Sequence, residues 1–286
     1  MKKFLMIAVL IMIVVTGCSN QAIGNEEAPD VATVSTEEIM TENYQGFQMD
    51  NVLKTEDLGD IHYNLLIPKD YNAAQKYALH IALPGWEGLY FQGVGEDLRW
   101  EYLPHESGRY AQDMIVASLQ LDDWGENSAL QTVRLTEYLM EEYSIDRERV
   151  FITGYSAGGE TLSRVMEFKP ELYRKALFVS SKWDGNPKPM TKAHTALYLF
   201  TSEHDSYYGA EPAREAWQSI HDLYLELGLS EDEISELLFL DVREDGWFDQ
   251  MMEEHTDRTK TQYATDYHGA GMLVAFDEAV MNWVFK

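Results

Sequence analysis

The sequence predicts an α/β fold class, a doubly wound and mostly parallel sheet with helices on both faces. Short apolar runs typical of strands alternate with helical patterns along most of the 286 residues. Several of these runs are continuously apolar, as expected for strands that are covered on both faces. The hydrophobic content of 45% is also sufficient for one substantial core.

The predicted strands are of two kinds. The first, "DIHYNLLIP" (60–68), places Ile61, Tyr63, Leu65 and Ile67 on one face with a period of two, which indicates a half-buried edge strand. The later runs are shorter and more continuously apolar, which indicates central strands. These runs are "YALHIALPG", "DMIVASLQL", "RVFITG", "KALFVSS", "ALYLFTS" and "LLFLDV".

Helical patterns separate the strands. One helix is predicted around Leu135 and Leu139, and a second begins at Pro212, because proline is favoured in the first helical turn. Ser230 and Glu233 have the spacing of a capping box. The apolar stripes of the second and of the last predicted helix consist of Ala213, Trp217, Ile220, Tyr224 and Leu227, and of Leu273, Phe276, Val280 and Trp283.

Residues 1–17 are predicted to be a signal peptide. Two lysines precede an unbroken apolar run from Phe4 to Val15, which is too short for a membrane span and typical of a secretory signal. The following "VTGC" resembles the bacterial lipobox, which implies cleavage before Cys18 and lipidation of its thiol. Cys18 is the only cysteine, so internal disulfides and thiolate-rich metal sites are excluded. The alternative is an ordinary signal peptide with an incidental cysteine.

Residues 18–43 are predicted to be a flexible acidic tether in front of a single folded domain, 44–286. Between Ser19 and Asn43 there is no aromatic and no basic residue, so this segment cannot bury enough surface to fold alone. A chain of about 25 such residues spans roughly 25–30 Å. That length would hold the domain just off a membrane.

The charge balance excludes one class of partner. The sequence has 22 Lys+Arg against 49 Asp+Glu, a formal net charge of −27, which repels polyanions at long range. A nucleic-acid partner is therefore not expected, and contact with a membrane is expected only through the lipid anchor.

The strongest catalytic signal is "FITGYSAGGE" (151–160). Its segment Gly154-Tyr155-Ser156-Ala157-Gly158 matches G-x-S-x-G between a predicted strand and a predicted helix, the context that a nucleophile elbow needs. Small residues two before and two after the serine are required because the elbow brings backbone segments close together. The alternative is a glycine-rich helix entry that merely packs tightly.

A nucleophilic serine also needs a histidine and a carboxylate, here expected in the order Ser, acid, His. Asp205 lies just past the strand-like "ALYLFTS", and Asp184 after the preceding strand is the alternative acid. His268 lies just before the final helix, and His255 in the same long connection is its competitor.

The ends of the predicted strands supply the other candidate site residues. The backbone N–H groups of Ala157 and Trp86 are the candidate oxyanion donors, although a Pro-Gly turn such as the one before Trp86 is commonplace. Trp86, Trp124, Trp183 and Trp247 each lie just beyond the carboxyl end of a strand, where open α/β sheets bind ligands. The candidate substrate-binding side chains are Tyr155, Trp124, Trp183 and Trp247, with core packing as the alternative.

These segments together resemble a known group. "LPGWEG", "SLQLDDW", "YSIDRERVFITGYSAGGE", "SEHD" and the terminal "H…F…W" are similar to the α/β-hydrolase superfamily, in particular its poly(3-hydroxybutyrate)-depolymerase and feruloyl-esterase-like branch. The resemblance covers residues 60–286. It implies a triad of Ser156, Asp205 and His268, with no metal and no organic cofactor. Two departures are Pro84-Gly85, where the branch usually has His-Gly, and the long connection 246–267, interpreted either as a binding flap or as a solvated insertion.

Three functions are compatible with the sequence. The leading hypothesis is a lipid-anchored, extracytoplasmic serine hydrolase that cleaves carboxylic esters of a small-molecule or polymer-linked substrate. A peptidase of the prolyl-oligopeptidase-like kind would use the same elbow and triad order. A surface binding protein on a hydrolase shell without turnover is the third hypothesis.

Overall fold

A nine-stranded mixed sheet lies at the centre of the fold. The structure is a computed structural model, and it describes residues 43–255 and 266–286. The strands are β1 Asn43–Tyr44, β2 Phe47–Lys54, β3 Asp60–Leu66, β4 Tyr77–Leu83, β5 Met114–Gln120, β6 Ile145–Tyr155, β7 Lys175–Val179, β8 Ala196–Ser202 and β9 Leu238–Arg243. Their order in the sheet is β1-β2-β3-β5-β4-β6-β7-β8-β9. The pairs β1/β2, β2/β3 and β3/β5 are antiparallel, and all later pairs are parallel.

Helices cover both faces of this sheet. The helices are α1 Glu96–Trp100, α2 Leu103–Glu106, α3 Glu126–Glu142, α4 Ala157–Phe168, α5 Lys188–Ala193, α6 Glu211–Glu226, α7 Glu231–Leu237, α8 Asp245–Glu254 and α9 Glu278–Phe285. One apolar core cluster joins the sheet to α3, α4 and α6, and contains Leu135, Leu162 and Ile220. A second cluster joins it to α8 and α9, and contains Phe248 and Val284. The doubly wound α/β fold class predicted from the sequence is therefore confirmed.

Two predictions about strand position were wrong. The run 60–68 contains β3, which lies between β2 and β5 and is not an edge strand. The chain just before it, Phe47–Lys54, supplies an additional antiparallel strand that covers its free side. Conversely, "LLFLDV" contains β9, which ends the sheet and whose side chains are mostly half-buried. Continuous apolar character therefore does not distinguish this edge strand from a central one.

The helix signals agree with the structure in part. Pro212 lies in the first turn of α6, and the capping box of Ser230 and Glu233 starts α7. The last predicted helix is divided, because a 3₁₀ helix, Gly269–Phe276, is followed by α9. Asp277 between them accepts the N–H groups of Ala279 and Val280 and so caps α9.

Several predictions fall outside the described residues. The signal peptide, Cys18 and residues 18–42 of the predicted tether lie there, and Asn43 already belongs to β1. Residues 246–254 of the long connection belong to α8, and 256–265 are not among the described residues. Within 43–255 and 266–286, no helix is long and apolar enough to cross a bilayer. The same two ranges contain no group of three or more His, Cys, Asp or Glu side chains that could hold a metal ion.

Candidate active site

Ser156 occupies a sharp bend between β6 and α4. Its backbone has φ +52° and ψ −120°, a conformation that a residue with a side chain rarely adopts. The Ser156 N–H donates to the carbonyl of Val179 at 3.0 Å, and the Ser181 hydroxyl donates to the Ser156 carbonyl at 2.6 Å. Neighbouring β7 and the residues after it thus hold the strained serine in place.

The two motif glycines are required by close backbone contacts. A methyl group added at Gly154 would lie 2.4 Å from the carbonyl oxygen of Gly158. One added at Gly158 would lie 2.2 Å from the carbonyl oxygen of Leu83, at the end of β4. Since β-carbon atoms essentially never come this close to other atoms, the G-x-S-x-G spacing is a steric condition for this bend.

Ser156, His268 and Asp205 form one hydrogen-bonded chain. The Ser156 Oγ lies 2.9 Å from Nε2 of His268. The other ring nitrogen of His268, Nδ1, lies 2.9 Å from Oδ2 and 3.1 Å from Oδ1 of Asp205. Ser156 is 7% exposed, and the Asp205 side chain is fully buried. The structure thus brings together the three side chains that the sequence predicts as a triad.

The Asp205 carboxylate is held ready to orient the imidazole. The backbone N–H groups of Tyr207 and Tyr208 donate to its Oδ1 at 2.9 and 2.8 Å. Burial by itself raises the pKa of Asp205, but the hydrogen bond and charge of His268, with these two N–H groups, lower the pKa below its ordinary value. A carboxylate in this position stabilises a positively charged imidazole.

The competing candidates lie elsewhere. Asp184 has its carboxylate 3.5 Å from Arg164 and 3.3 Å from Lys182. The ring of His255 stacks on Phe276, with 3.9 Å between the ring centroids. Neither of these contacts joins the hydrogen-bonded chain at Ser156.

The candidate oxyanion donors lie at the starts of two adjacent helical turns. Ala157 is the first residue of α4, and Trp86 is the first residue of a 3₁₀ turn, Trp86–Gly88. The first N–H groups of a helix have no acceptor within it and are available to a ligand. A methyl group added at Gly158 would also lie 2.6 Å from the Pro84 carbonyl oxygen, so the elbow packs directly against the chain that leads into the Trp86 turn.

A cavity of about 470 Å³ opens over the serine. Ser156 and His268 lie at this cavity, and Trp86 and Trp124 are 46% and 40% exposed beside them. The residues that line it are Trp86, Glu87, Trp124, Ser156, Ala157, Glu160, Lys182, Tyr207, Tyr208 and His268. Trp124 is therefore at the site for which it was predicted.

The other predicted substrate-binding side chains have different surroundings. Trp183 lines a second cavity together with Pro187 and Pro212, and Lys182 borders both this cavity and the one at Ser156. Trp247 packs against Phe200, its ring centroid 5.4 Å from that of the phenyl ring. Tyr155 is 3% exposed, which leaves little of its side chain accessible to a substrate.

Tyr155 instead contacts both the backbone of His268 and the turn before Trp86. Its hydroxyl donates to the His268 carbonyl at 3.3 Å. A methyl group added at Gly85 would lie 2.9 Å from the Tyr155 ring. The ring thus supports the turn before Trp86, while its hydroxyl holds the backbone of the histidine.

Sequence reasoning missed a polar group at the cavity wall. The Tyr208 hydroxyl donates to Oε1 of Glu160 at 2.5 Å, and Lys182 Nζ lies 3.8 Å from Oε2 of the same carboxylate. Burial raises the pKa of Glu160, although Tyr208 and Lys182 oppose the rise. Glu160 lies one helical turn after Ser156, which was the one available signal that it faces the same site.

Comparisons with known proteins give one partial family match and several structural similarities. Residues 119–223, less than half of the chain, match the Prolyl oligopeptidase family. No curated protein matches the sequence. A thermostable esterase of known structure is 21% identical with a TM-score of 0.65, and the similarity covers 84% of this chain and 62% of that chain. The chain thus spans less than two thirds of the esterase's length.

Two further solved structures are less similar. Oligopeptidase B from Leishmania major is 12% identical with a TM-score of 0.46, over 70% of this chain and 33% of that chain. Acetyl xylan esterase from Aspergillus awamori is 14% identical with the same TM-score, over 62% of this chain and 80% of that chain.

The chain has the α/β-hydrolase fold, as the resemblance implied. The narrower depolymerase and feruloyl-esterase-like branch stays a prediction.

Proposed function

We propose that this protein is a serine esterase that cleaves carboxylic esters through an acyl-enzyme intermediate. The observation that supports it best is the hydrogen-bonded chain from Ser156 through His268 to Asp205 beside an open cavity. Nucleophile, base and orienting acid are each within hydrogen-bond distance of the next, which is the geometry that acyl transfer needs.

In the first half of the reaction, Ser156 Oγ attacks the ester carbonyl carbon while His268 Nε2 takes the serine proton. Asp205 accepts the hydrogen bond from Nδ1 and stabilises the imidazolium. The negative charge on the former carbonyl oxygen is stabilised by the N–H groups of Ala157 and Trp86. The bond to the alcohol oxygen then breaks, and that oxygen receives the proton from His268.

In the second half, a water molecule takes the place of the alcohol. His268 Nε2 removes one proton from the water as its oxygen attacks the acyl carbon. The bond to Ser156 Oγ breaks, and the proton returns to the serine. The acid leaves and the enzyme is restored. His268 gives back the proton that it takes in each half, and Ser156 is released from the acyl group in the second half, so neither residue is consumed.

A peptidase is the second candidate function, favoured by the match of residues 119–223 to the Prolyl oligopeptidase family. The same triad could cleave an amide, with the amine in place of the alcohol. Turnover of p-nitrophenyl acetate compared with an aminoacyl anilide distinguishes the two candidates. We expect the ester to be cleaved, and turnover of the anilide alone would favour the peptidase.

Labelling with a fluorophosphonate tests whether catalysis occurs at all. We expect an adduct on Ser156, identified by peptide mass spectrometry, and its loss in Ser156→Ala. Because the mutation removes a single oxygen atom and leaves both hydrogen bonds of the Ser156 backbone in place, the variant should remain folded, which circular dichroism checks. Folded wild-type protein without an adduct would leave the third hypothesis, a binding protein on a hydrolase shell.

The proposal extends to the location of the enzyme. Attachment through a lipidated Cys18, outside the cytoplasm of a bacterium, rests on the apolar leader and the "VTGC" segment. Metabolic labelling with an alkynyl fatty acid tests it, with Cys18→Ser as the control. Equal labelling of both proteins would contradict lipidation of this cysteine.

A further inference from the structure

A buried carboxyl group holds the turn that carries the Trp86 N–H. Glu101 directly follows α1, is 5% exposed, and accepts the Gly85 N–H on its Oε1 at 2.5 Å. Its own N–H donates to the Asp97 carbonyl at 3.0 Å, which fixes the residue against the end of the helix. The proposed reaction gives Glu101 no chemical step.

The position of this hydrogen bond within the turn is informative. Pro84 has no N–H, so the N–H of Gly85 is the first donor after β4, and Glu101 binds it. Fixing that N–H sets the plane of the Pro84–Gly85 peptide. The next peptide, Gly85–Trp86, carries the N–H that would face the substrate oxygen. A rotation of the first peptide therefore redirects the second.

The ring of Tyr155 also packs against Gly85. The methyl group that would lie 2.9 Å from the Tyr155 ring would lie 3.5 Å from Oε1 of Glu101. Gly85 is therefore in close contact with both an aromatic ring and a carboxyl oxygen. The ring restricts where the turn can move, while Glu101 supplies the directional contact that selects one peptide orientation.

We propose that Glu101 is a positioning residue, which orients the Gly85–Trp86 peptide so that the Trp86 N–H can stabilise the oxyanion. This inference rests on the proposed esterase function. The stabilisation occurs when negative charge develops in the transition state, so loss of Glu101 should lower kcat more than it changes KM.

The test compares Glu101→Leu with Glu101→Gln. The leucine side chain cannot accept the Gly85 N–H, whereas the glutamine keeps a carbonyl oxygen at that place. Burial raises the pKa of Glu101 well above its usual range, so a neutral acceptor is a close substitute. Glu101 also borders a cavity of about 490 Å³ that is separate from the one at Ser156, which gives the leucine room.

With p-nitrophenyl acetate we expect kcat of Glu101→Leu to fall about tenfold or more, at a nearly unchanged KM. Phenylboronic acid forms a tetrahedral adduct with an active-site serine, so its inhibition constant should rise by a similar factor. Glu101→Gln should stay within about threefold of wild type on both measures. If Glu101 contributed only to overall stability, its loss would change neither the inhibition constant nor kcat, once kcat is calculated from the concentration of folded protein.

Ser163→Ala is the matched control. The Ser163 hydroxyl oxygen is buried and accepts the Gly185 N–H at 3.0 Å, in a turn beside the second cavity that Trp183 lines. The Ser163→Ala variant therefore also loses a side-chain oxygen that accepts a backbone N–H, but at a place outside the proposed oxyanion turn. Its melting temperature should fall, while its kcat and its inhibition constant for the boronic acid stay at wild-type values.

The outcomes separate this inference from the proposed function. A folded Glu101→Leu with wild-type kcat, or a Glu101→Gln as impaired as the leucine variant, would overturn the positioning role while leaving the esterase intact. If the wild type neither reacts with fluorophosphonate nor cleaves the ester, the proposed function fails and the positioning role falls with it.

Discussion

A second buried acid, Asp97 on α1, should make the stability of the protein depend on pH near neutrality. Asp97 is 0% exposed, and its carboxyl group accepts hydrogen bonds from Ser118 Oγ at 2.5 Å and from Asn64 Nδ2 at 3.1 Å. Burial raises the pKa of Asp97 from 3.8 to about 7, although these hydrogen bonds oppose the rise. Asp97 therefore titrates near neutral pH, well above the pH at which an exposed carboxyl group titrates.

The direction of the effect follows from where the proton is bound. Between pH 3.8 and about 7, the folded protein keeps a proton on Asp97 that the unfolded chain has lost. The unfolded state binds fewer protons, so the free energy of unfolding falls as the pH rises through this window. Below it both states are protonated, and above it both are ionised. The rise in pKa corresponds to about 4 kcal/mol, of which about 2 kcal/mol is lost between about pH 5 and about pH 7 and about 3 kcal/mol between about pH 5 and about pH 8.

Asp97→Asn should remove this dependence. The new side chain is neutral at every pH, its oxygen can accept from Asn64, and its amide can donate to the Ser118 oxygen. Urea unfolding between about pH 5 and about pH 8 measures the free energy of unfolding of both proteins. We expect the loss of stability across this range to be smaller in the variant by about 3 kcal/mol.

Asp113→Asn is the control for this experiment. The hydrogen bonds from Arg149 lower the pKa of Asp113, so its titration lies below the measured range. The control should keep the wild-type dependence on pH. An Asp97→Asn protein that loses stability with pH as steeply as the wild type would refute the reasoning, because the buried carboxyl group would then not titrate in this window.

Three further predictions concern the triad, the elbow and a helix end. Asp205→Asn should lower kcat on the order of 10⁴-fold in steady-state ester hydrolysis, because an amide cannot hold the imidazole tautomer; a loss below about tenfold would contradict the role. Gly158→Ala should yield little folded protein by circular dichroism, whereas Gly108→Ala, whose added methyl group meets nothing within 4 Å, should fold normally; equal yields would contradict the steric argument. Ser230→Ala should lower the free energy of unfolding in urea by about 1 kcal/mol, and an unchanged value would mean that the capping box of α7 contributes nothing.

The sequence predicted those parts of the fold that depend on local patterns. Period-two and continuous apolar runs located the core strands, and Pro212 and Ser230 located helix starts, because each signal lies within one element. The place of a strand in the sheet is not local. Whether β3 is an edge depends on a partner, Phe47–Lys54, which the apolar pattern of β3 itself does not reveal.

The same distinction applies to the site. The chain order of serine, acid and histidine left two candidate acids and two candidate histidines. In the structure Asp205 and His268 are the two that form the hydrogen-bonded chain with Ser156. The direction of the tryptophans could not be predicted, because it depends on how each loop turns after its strand. Gly185 packs against the Ser163 carbonyl, with only 2.1 Å left for an added methyl group, and the turn that contains it carries Trp183 to another cavity. Trp247 lies in the first turn of α8, where its ring contacts the rings of Phe200 and Phe248.

The elbow explains why a five-residue motif can predict a site when single aromatic residues cannot. The backbone of Ser156 costs on the order of 1–3 kcal/mol relative to a relaxed conformation. Its two backbone hydrogen bonds, to Val179 and from Ser181, contribute about 1 kcal/mol each, so the strain is offset only when β7 lies alongside. The steric condition is visible in the sequence as Gly154 and Gly158. The hydrogen bonds that offset the strain come from β7 and the residues after it, which are distant in sequence. The motif is therefore informative only between a strand and a helix, where both conditions can be met.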